Sequence, residues 1–235
     1  MPDVISIEDI ILSYLIDEDT YIQPHSMESL EYPFEIKSND YLSYAKNDLI
    51  SSDDKTNANV NALSNAKRAI ESRVDSILQI YGIKRVGQRV KDLNSFPQKL
   101  DLLRELGLIA PNIMKKINTA RNRMEHAYID PSTGSLDDIV DFIDIAELFL
   151  ESTEVIVTRF INQFILESDS IEDYWLFCKY DFEQASFEIE VNYNDTNAVE
   201  RHNLQFNRKR KEYNHTFNRL FNLVYKVTLN PPYKH

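Results

Sequence analysis

The sequence predicts a mainly α fold: an antiparallel helical bundle with a small C-terminal mixed α/β appendage. Apolar residues recur at helical intervals through most of residues 38–166, and the 235-residue chain contains only four glycines, which disfavours a turn-rich all-β fold. Alternating apolar stretches typical of strands come only after Ser168. We therefore expect an N-terminal helix and loop (1–37), the bundle (38–167) and the appendage (168–235).

The N-terminal region predicts one helix and one loop. The run Ile7–Leu15 has helical apolar spacing, so it is expected to form an amphipathic helix. The stretch from Tyr21 to Phe34 contains prolines and is expected to be a loop.

The bundle begins with helices whose ends carry capping signals. Ser38 or Asn39 can cap a first helix, and a long apolar stripe from Val60 to Tyr81 ends at Gly82, a plausible C-terminal cap. Residues 84–97 are basic and polar, and Lys84, Arg85, Arg89 and Lys91 are either RNA contacts or solubilising loop residues. A shorter helix is expected from Gln98 to Leu106.

Two more bundle helices and the appendage follow. One helix starts at Pro111, whose fixed φ suits a first helical turn, and stops near Asp130. A final long helix runs from a capping box at Ser135 through Phe164. Residues 174–180 and 186–193 predict a hairpin, with the aromatic side chains around Trp175 forming the appendage's core. A basic helix follows from Tyr213, although 224–229 equally fits a strand.

Composition excludes several classes of protein. No stretch approaches the roughly 20 apolar residues that cross a bilayer, and the N-terminus lacks a signal-peptide pattern, so we expect a cytoplasmic protein without a membrane partner. The single cysteine, Cys178, excludes an internal disulfide, and the five histidines have no zinc-site spacing, so no metal is expected.

The net charge of −12 is unevenly placed along the chain. Residues 201–235 carry +7, which leaves −19 on residues 1–200. A local basic patch can still attract phosphate within a Debye length of about 8–10 Å, so the acidic total does not exclude a nucleic-acid partner.

The chemically distinctive segment is Arg121-Asn122-Arg123-Met124-Glu125-His126-Ala127-Tyr128, on the helix predicted from Pro111. At 100° per residue, Asn122 and His126 share one face beside the apolar face, and Arg121 lies at the border between the two. A fixed cation beside an imidazole and a carboxamide suits phosphoryl transfer. The arginine stabilises charge on phosphorane oxygens, the histidine moves a proton, and the asparagine orients an oxygen or the arginine.

This segment resembles the signature of the HEPN superfamily: arginine, a polar residue that is often asparagine, and a histidine a few residues later. The segments Ala45–Leu49 and Asn65–Glu71 resemble the first two helices of that family, and the similarity covers roughly residues 38–165. The resemblance implies a metal-independent endoribonuclease without a cofactor. Such an enzyme attacks with the RNA 2′-hydroxyl, leaves a 2′,3′-cyclic phosphate, and acts as a homodimer whose two motifs face each other.

Carried over residue by residue, the resemblance makes Arg121 and His126 the catalytic pair and Asn122 their supporting residue. It implies a toxin or antiviral defence effector. Tyr128 extends the match to toxins whose tyrosine is adenylylated by a nucleotidyltransferase antitoxin, although Tyr128 equally fits a packed residue. The alternative function is a catalytically inactive HEPN-fold module for dimerisation or other interactions.

A set of basic residues is expected to contact the RNA: Arg123, Arg208, Lys209, Arg210 and Lys211. Phe206, Tyr213 and Phe217 lie near the second group and would offer stacking surfaces. A solvated helix face, or a patch that pairs with the acidic body, explains the run from Arg208 to Lys211 equally well.

Overall fold

A computed structural model describes residues 6–51, 55–84, 93–109, 115–117, 119, 136–210 and 213–230. The prediction of a mainly α bundle is wrong. A five-stranded antiparallel sheet takes 23% of the described residues, which makes the fold mixed α/β. The sheet therefore has five strands, where the sequence predicted only the two-stranded hairpin of the appendage.

We number the elements of the described residues in chain order. The strands are β1 (Thr20–Ser29), β2 (Arg159–Ser168), β3 (Tyr174–Asp181), β4 (Ser186–Tyr193) and β5 (Val199–Gln205). The helices are α1 (Ile7–Ile16), α2 (Ser38–Ser51), α3 (Lys55–Ile80), α4 (Phe96–Glu105), α5 (Leu136–Ser152), α6 (Glu154–Thr158) and α7 (His215–Leu229).

The chain divides into two compact units. The sheet unit comprises residues 1–31, 80–92 and 158–235, and the helical unit comprises residues 32–79 and 93–157. In the sheet unit, the backbone N–H of Leu30 donates to the Thr158 carbonyl at 2.9 Å, so the chain leaves β1 and returns to β2 at one place. All residues of the helical unit therefore lie between β1 and β2 in the sequence. Residues 80–92 also lie between these two strands in the sequence, but they belong to the sheet unit.

The five strands form a sheet in the order β1-β2-β3-β4-β5, with every neighbouring pair antiparallel. The predicted hairpin of β3 and β4 is confirmed. Its turn is held by the Asp181 carboxylate, which accepts hydrogen bonds from the backbone N–H groups of Glu183 and Gln184. This Asx-type turn explains why the chain reverses between two alternating apolar runs.

Two predicted elements differ from the structure, and both differences enlarge the sheet. The stretch expected as a loop contains β1, and the end of the predicted last helix is β2. Phe160 and Phe164 are four residues apart, which places them on one face of a strand as well as of a helix, so their spacing does not separate the two structures. Pro24 is tolerated because β1 is an edge strand with a bulge beside it.

One face of the sheet, the closed face, is covered by α1 and α7. It carries a cluster of buried aromatic rings in which Phe160 stacks on Phe221 of α7, with centroids 5.2 Å apart. Tyr180 of β3 contacts the same Phe221 ring at 5.8 Å. On α1, the Tyr14 hydroxyl donates to the Tyr174 carbonyl at 2.6 Å. These rings make the closed face the hydrophobic core of the sheet unit.

The turn after α3 also belongs to this core. Tyr81 is fully buried, its ring lies 5.0 Å from those of Phe160 and Phe221, and its carbonyl accepts a hydrogen bond from the Tyr180 hydroxyl. Gly82 ends the helix with a φ of +64°, which confirms the predicted cap. A Cβ atom at Gly82 would lie 1.9 Å from the Phe182 carbonyl oxygen, so a larger residue does not fit.

The helical unit contains α2, α4, α5 and all but the last residue of α3 and of α6. Helices α2 and α4 begin close to their predicted starts. At the start of α4, the Ser95 hydroxyl and the Gln98 side chain form a reciprocal capping box. Lys46 of α2 forms a 2.5 Å ion pair with Glu147, which fixes α2 against α5.

Candidate functional site

The catalytic segment predicted from sequence lies outside the described residues. This applies to Arg121, Asn122, Arg123, His126 and Tyr128. The structure describes the start of the helix expected to carry them: residues 115–117 and 119 are helical. Ile117 is 1% exposed, whereas Lys115 and Lys116 are exposed, so the predicted apolar face of this helix is buried at its described position.

A buried arginine that the sequence analysis missed joins three segments of the helical unit. Arg73 of α3 is 2% exposed, and its guanidinium donates to the Glu154 carboxylate at 2.8 Å. It also donates to the Thr153 carbonyl and to the Asn39 side chain. Its position between Ile70 and Ile77 on the apolar face of α3 was the available signal, because a cation on such a face needs buried partners. Its partners are structural, and we assign it no chemistry.

A groove of about 350 Å³ lies in the helical unit between α3 and the start of α4. Glu71, Asp75 and Lys99 supply its charged groups, and the Lys99 ammonium lies 2.5 Å from the Asp75 carboxylate. The capping box already occupies the backbone N–H groups of Asn94, Ser95 and Gln98. With a carboxylate in excess and a capped helix start, the groove is poorly suited to a phosphate group.

The first residue of the predicted basic RNA-contact run has a structural role. One terminal nitrogen (Nη2) of Arg208 donates to the Gly82 carbonyl at 2.7 Å and to the Glu183 carbonyl at 3.2 Å. Arg208 thereby ties the β5–α7 loop to the turn after α3 and to the β3–β4 turn. An arginine with this nitrogen engaged by two carbonyls is less available to a phosphate than its neighbours.

The next two basic residues are exposed. Lys209 and Arg210 donate their backbone N–H groups to the Asn207 side chain, which fixes the loop. The Arg210 guanidinium lies 5.6 Å from the centre of the Tyr213 ring, and that side chain is 64% exposed. The pair presents a cation and an aromatic ring together, whereas Lys211 lies outside the described residues.

The expected stacking roles of Phe206 and Phe217 are wrong. Both rings are buried, 5.5 Å from each other, in the core beneath α7. Their nearness to the basic run suggested a stacking surface, but burial in the core is the stronger driving force for a phenylalanine.

Aromatic side chains missed as surface features lie on the other side of the sheet, here called the open face. The expectation that Trp175 belongs to the core is wrong, since both Trp175 and Phe177 are half-buried and alternate with the buried Leu176 and Cys178 of β3. His25 of β1 is exposed, and its ring lies 5.8 Å from that of Phe177. The sequence signal was the strict alternation of β3, which places every second aromatic residue on one face.

His25 reaches this position through a bulge in β1. The pairing of β1 with β2 shifts between Pro24 and Ser26 and again between Ser26 and Met27. Bulges redirect side chains at sheet edges, and here the bulge brings an imidazole from the edge strand to a ring on β3, two strands away.

The charges of the open face are paired. Lys179 lies 3.4 Å from Glu188 on the neighbouring strand, and Arg201 lies 2.8 Å from Glu190. Gln23 donates to the Glu167 carboxylate at 2.6 Å. The Arg201 side chain is 79% exposed. Exposed ion pairs of this kind contribute little to stability, so an incoming phosphate can exchange with the carboxylates.

Other reactive groups of the described residues are buried or dispersed. Burial raises the pKa of the Cys178 thiol, which keeps it protonated and unreactive. The described residues contain no cluster of three or more His, Cys, Asp or Glu side chains suited to a metal ion. None of the described helices is both long enough and apolar enough to span a membrane.

Comparison with protein-family models, with curated proteins and with solved structures finds no match to this chain. The candidate function therefore depends on the residues themselves.

Proposed function

We propose that the protein is a metal-independent endoribonuclease that acts as a homodimer, in the role of a toxin or antiviral defence effector. The spacing of Arg121, Asn122 and His126 carries the proposal. One structural observation supports the proposal. Residues 115–117 and 119 are helical, and Ile117 is buried. That is the setting in which a four-residue spacing places Asn122 and His126 on one face.

The reaction needs one nucleophile that the RNA itself supplies. The 2′-hydroxyl oxygen bonds to the adjacent phosphorus while the bond from phosphorus to the 5′-oxygen breaks. His126 takes part in moving the proton from the 2′-hydroxyl to the leaving 5′-oxygen, and Arg121 stabilises the added negative charge on the phosphorane. The products are a 2′,3′-cyclic phosphate and a 5′-hydroxyl, and a second copy of the motif facing the first would supply a second imidazole.

Two substitutions test this mechanism. Replacing the general acid–base group (His126→Ala) should lower cleavage of a long single-stranded RNA about 10²–10⁴-fold. Arg121→Ala should cost about 10²–10³-fold, as expected for loss of transition-state charge stabilisation. A chelator should leave the rate unchanged, and the 3′ ends should carry cyclic phosphate.

Matched controls come from the same residue types elsewhere in the chain. His215 at the start of α7 and Arg104 of α4 are both exposed, so His215→Ala and Arg104→Ala should cleave like the wild type. Wild-type protein that cuts no RNA and slows no growth would contradict the proposal and favour an inactive interaction module. Cleavage that survives both motif substitutions would place the chemistry elsewhere.

A modifying partner is proposed for Tyr128. The tyrosine hydroxyl would bond to the α-phosphorus of ATP bound by a nucleotidyltransferase-type antitoxin, with release of pyrophosphate. The attached AMP would block the adjacent catalytic pair. Wild-type protein incubated with such an enzyme and ATP should gain one AMP by mass spectrometry and lose cleavage, whereas Tyr128→Phe should do neither. An unmodified wild type, or AMP found on another residue, would contradict this role.

Lys209 and Arg210 are proposed as RNA contacts, together with Arg123 and Lys211. Their support is the exposed Arg210–Tyr213 pair on a loop held by Asn207. Arg208 is the weakest member because two carbonyls already engage its guanidinium. Lys209→Ala should reduce the slope of log affinity against log salt by about 0.7, the contribution of one phosphate contact on a single strand.

A further inference from the structure

We infer that the open face of the sheet binds single-stranded RNA by stacking bases on the rings of His25, Phe177 and Trp175. The inference rests on the proposed function only in the choice of RNA as the polymer. The site lies in the sheet unit and uses none of the residues proposed for catalysis.

The aromatic residues of β3 have a spacing that suits stacked bases. Phe177 and Trp175 are two apart on β3, so both stand on the same face, about 7 Å apart along the strand. Successive bases that are splayed apart can lie on rings at such a spacing. The His25 ring meets Phe177 edge to face, with an interplanar angle of 80°. This contact holds the half-buried Phe177 ring beside an exposed imidazole.

The aromatic rings of the open face remain partly accessible to solvent. Burial of a tryptophan and a phenylalanine in the core would remove water from both ring faces, yet Trp175 and Phe177 are only half-buried and His25 is exposed. The neighbouring strands place both apolar and polar residues beside the rings. Ile165 of β2 lies opposite Phe177, whereas Asn192 and Glu190 of β4 lie opposite Trp175 and Phe177. Rings flanked by hydrogen-bonding side chains on one side suit a polymer of bases, sugars and phosphates.

The charged residues near the rings limit the strength of RNA binding. Lys179 and Arg201 are the cations nearest the rings in register, and each is held only by an exposed carboxylate. At most two phosphates are therefore neutralised, and the carboxylates repel a longer backbone path. Binding should depend mainly on stacking, so its salt slope should be shallow, about −1.4 for two contacts on a single strand.

The chain provides its own probe, because Trp175 is the only tryptophan in the sequence. An RNA octamer rich in adenine should quench the fluorescence of Trp175 in a saturable manner. The full-length His126→Ala protein is used so that the RNA stays intact, and anisotropy of a labelled octamer reports total binding. The same octamer annealed to its complement should not quench, because paired bases cannot lie on the rings.

Substitutions identify the rings as the site. Phe177→Ala should weaken the binding seen by Trp175 on the order of 5- to 150-fold, the effect of losing one stacked base. Phe177→Tyr keeps a ring and should restore most of the affinity, whereas Phe177→Leu keeps the apolar volume and should not. Ala substitution of the exposed His215, also in the sheet unit but away from the rings, is the control and should change nothing.

Three outcomes would overturn the inference: total binding without a change in Trp175 fluorescence, an equal response to duplex RNA, or full affinity in both Phe177→Ala and Phe177→Leu. No binding at all, as expected if a protein partner covers this face, would overturn it too. Its failure is distinct from failure of the proposed function. Cleavage by wild-type protein without Trp175 quenching refutes only the sheet site, and quenching without cleavage refutes only the enzyme.

Discussion

The two faces of the sheet carry aromatic residues from the same strands in opposite roles. On β3, Tyr180 is buried against Phe221. Phe177, three residues earlier, is half-buried, and among the described aromatic side chains its ring contacts only that of His25. The strand alternation is identical for both. The difference arises from what covers each face, since α1 and α7 supply apolar partners on the closed face. A ring contributes to stability only where another element removes water from it.

Aromatic content alone does not locate the hydrophobic core. The closed face holds its rings within 4.9–6.4 Å of several others around Tyr180, for example Phe187 and Phe217. On the open face, the residues opposite Phe177 and Trp175 on the neighbouring strands are Ile165, Glu190 and Asn192 rather than further rings. The same residue type therefore stabilises the fold on one face and remains available to a ligand on the other.

The largest difference should appear on removing a closed-face ring. Phe160→Ala deletes a fully buried side chain that contacts Tyr81, Tyr180 and Phe221, and should lower the free energy of unfolding by about 3–5 kcal/mol. Urea unfolding followed by Trp175 fluorescence measures it within the sheet unit. A loss below about 1 kcal/mol would mean that the cluster is not the core described here.

Alkaline pH should also act through the closed face. Burial raises the pKa of the hydroxyls of Tyr81 and Tyr180 and of the Cys178 thiol. Each group is neutral when folded and ionises on unfolding above its ordinary pKa, about 8.5 for Cys and about 10 for Tyr. Stability is therefore fully present below pH 8.5. It should fall by about 1.4 kcal/mol per pH unit up to pH 10 and by about 4 per unit above it.

Urea midpoints between pH 8 and pH 11 measure this loss, and Cys178→Ala should abolish its first phase. Midpoints that stay constant to pH 11 would contradict the burial of these groups. Phe177 and Trp175 on the open face do not ionise, so these two rings contribute nothing to this loss.

A smaller effect should follow from crowding the turn that joins α3 to the sheet. Gly82→Ala places a methyl group against the Phe182 carbonyl and imposes a positive φ on alanine, which should cost at least about 1–3 kcal/mol. Thermal unfolding by circular dichroism is the measurement. If the variant unfolds like the wild type, the β3–β4 turn must lie farther from Gly82 than in this structure.

The smallest change in stability should follow loss of the open-face ring. Phe177→Ala removes one cross-strand contact and should cost about 0.2–1 kcal/mol in urea unfolding, measured by circular dichroism. Together with a large loss of RNA affinity, this would separate binding from folding on a single sheet. A cost as large as that of Phe160→Ala would mean that the open face is covered and that the two faces are equivalent.

The sequence predicted local structure well where one signal was unambiguous. The helix at Ile7–Ile16, the stop at Gly82 and the β3–β4 hairpin were predicted from helical apolar spacing, from a glycine at a helix end and from strict alternation. The sheet could not be assembled from such signals, because β1 and β2 pair across most of the chain and Phe160 and Phe164 fit helix and strand alike. The open face was missed because alternation marks two faces without saying which one a distant helix covers. The catalytic segment remains a prediction from residue chemistry.

The β1–β2 pairing also determines how long β1 lacks its partner strand during synthesis. Thr20 pairs with Ser168, so β1 leaves the ribosome long before its partner exists. At about 5–20 residues per second, this separation of 148 residues takes roughly 7–30 s to synthesise. Throughout that interval β1 is an unpaired strand open to mispairing with other chains. Pro24 and the bulge beside it interrupt the backbone donors that such mispairing needs, so this irregular edge protects the nascent chain as well as placing His25.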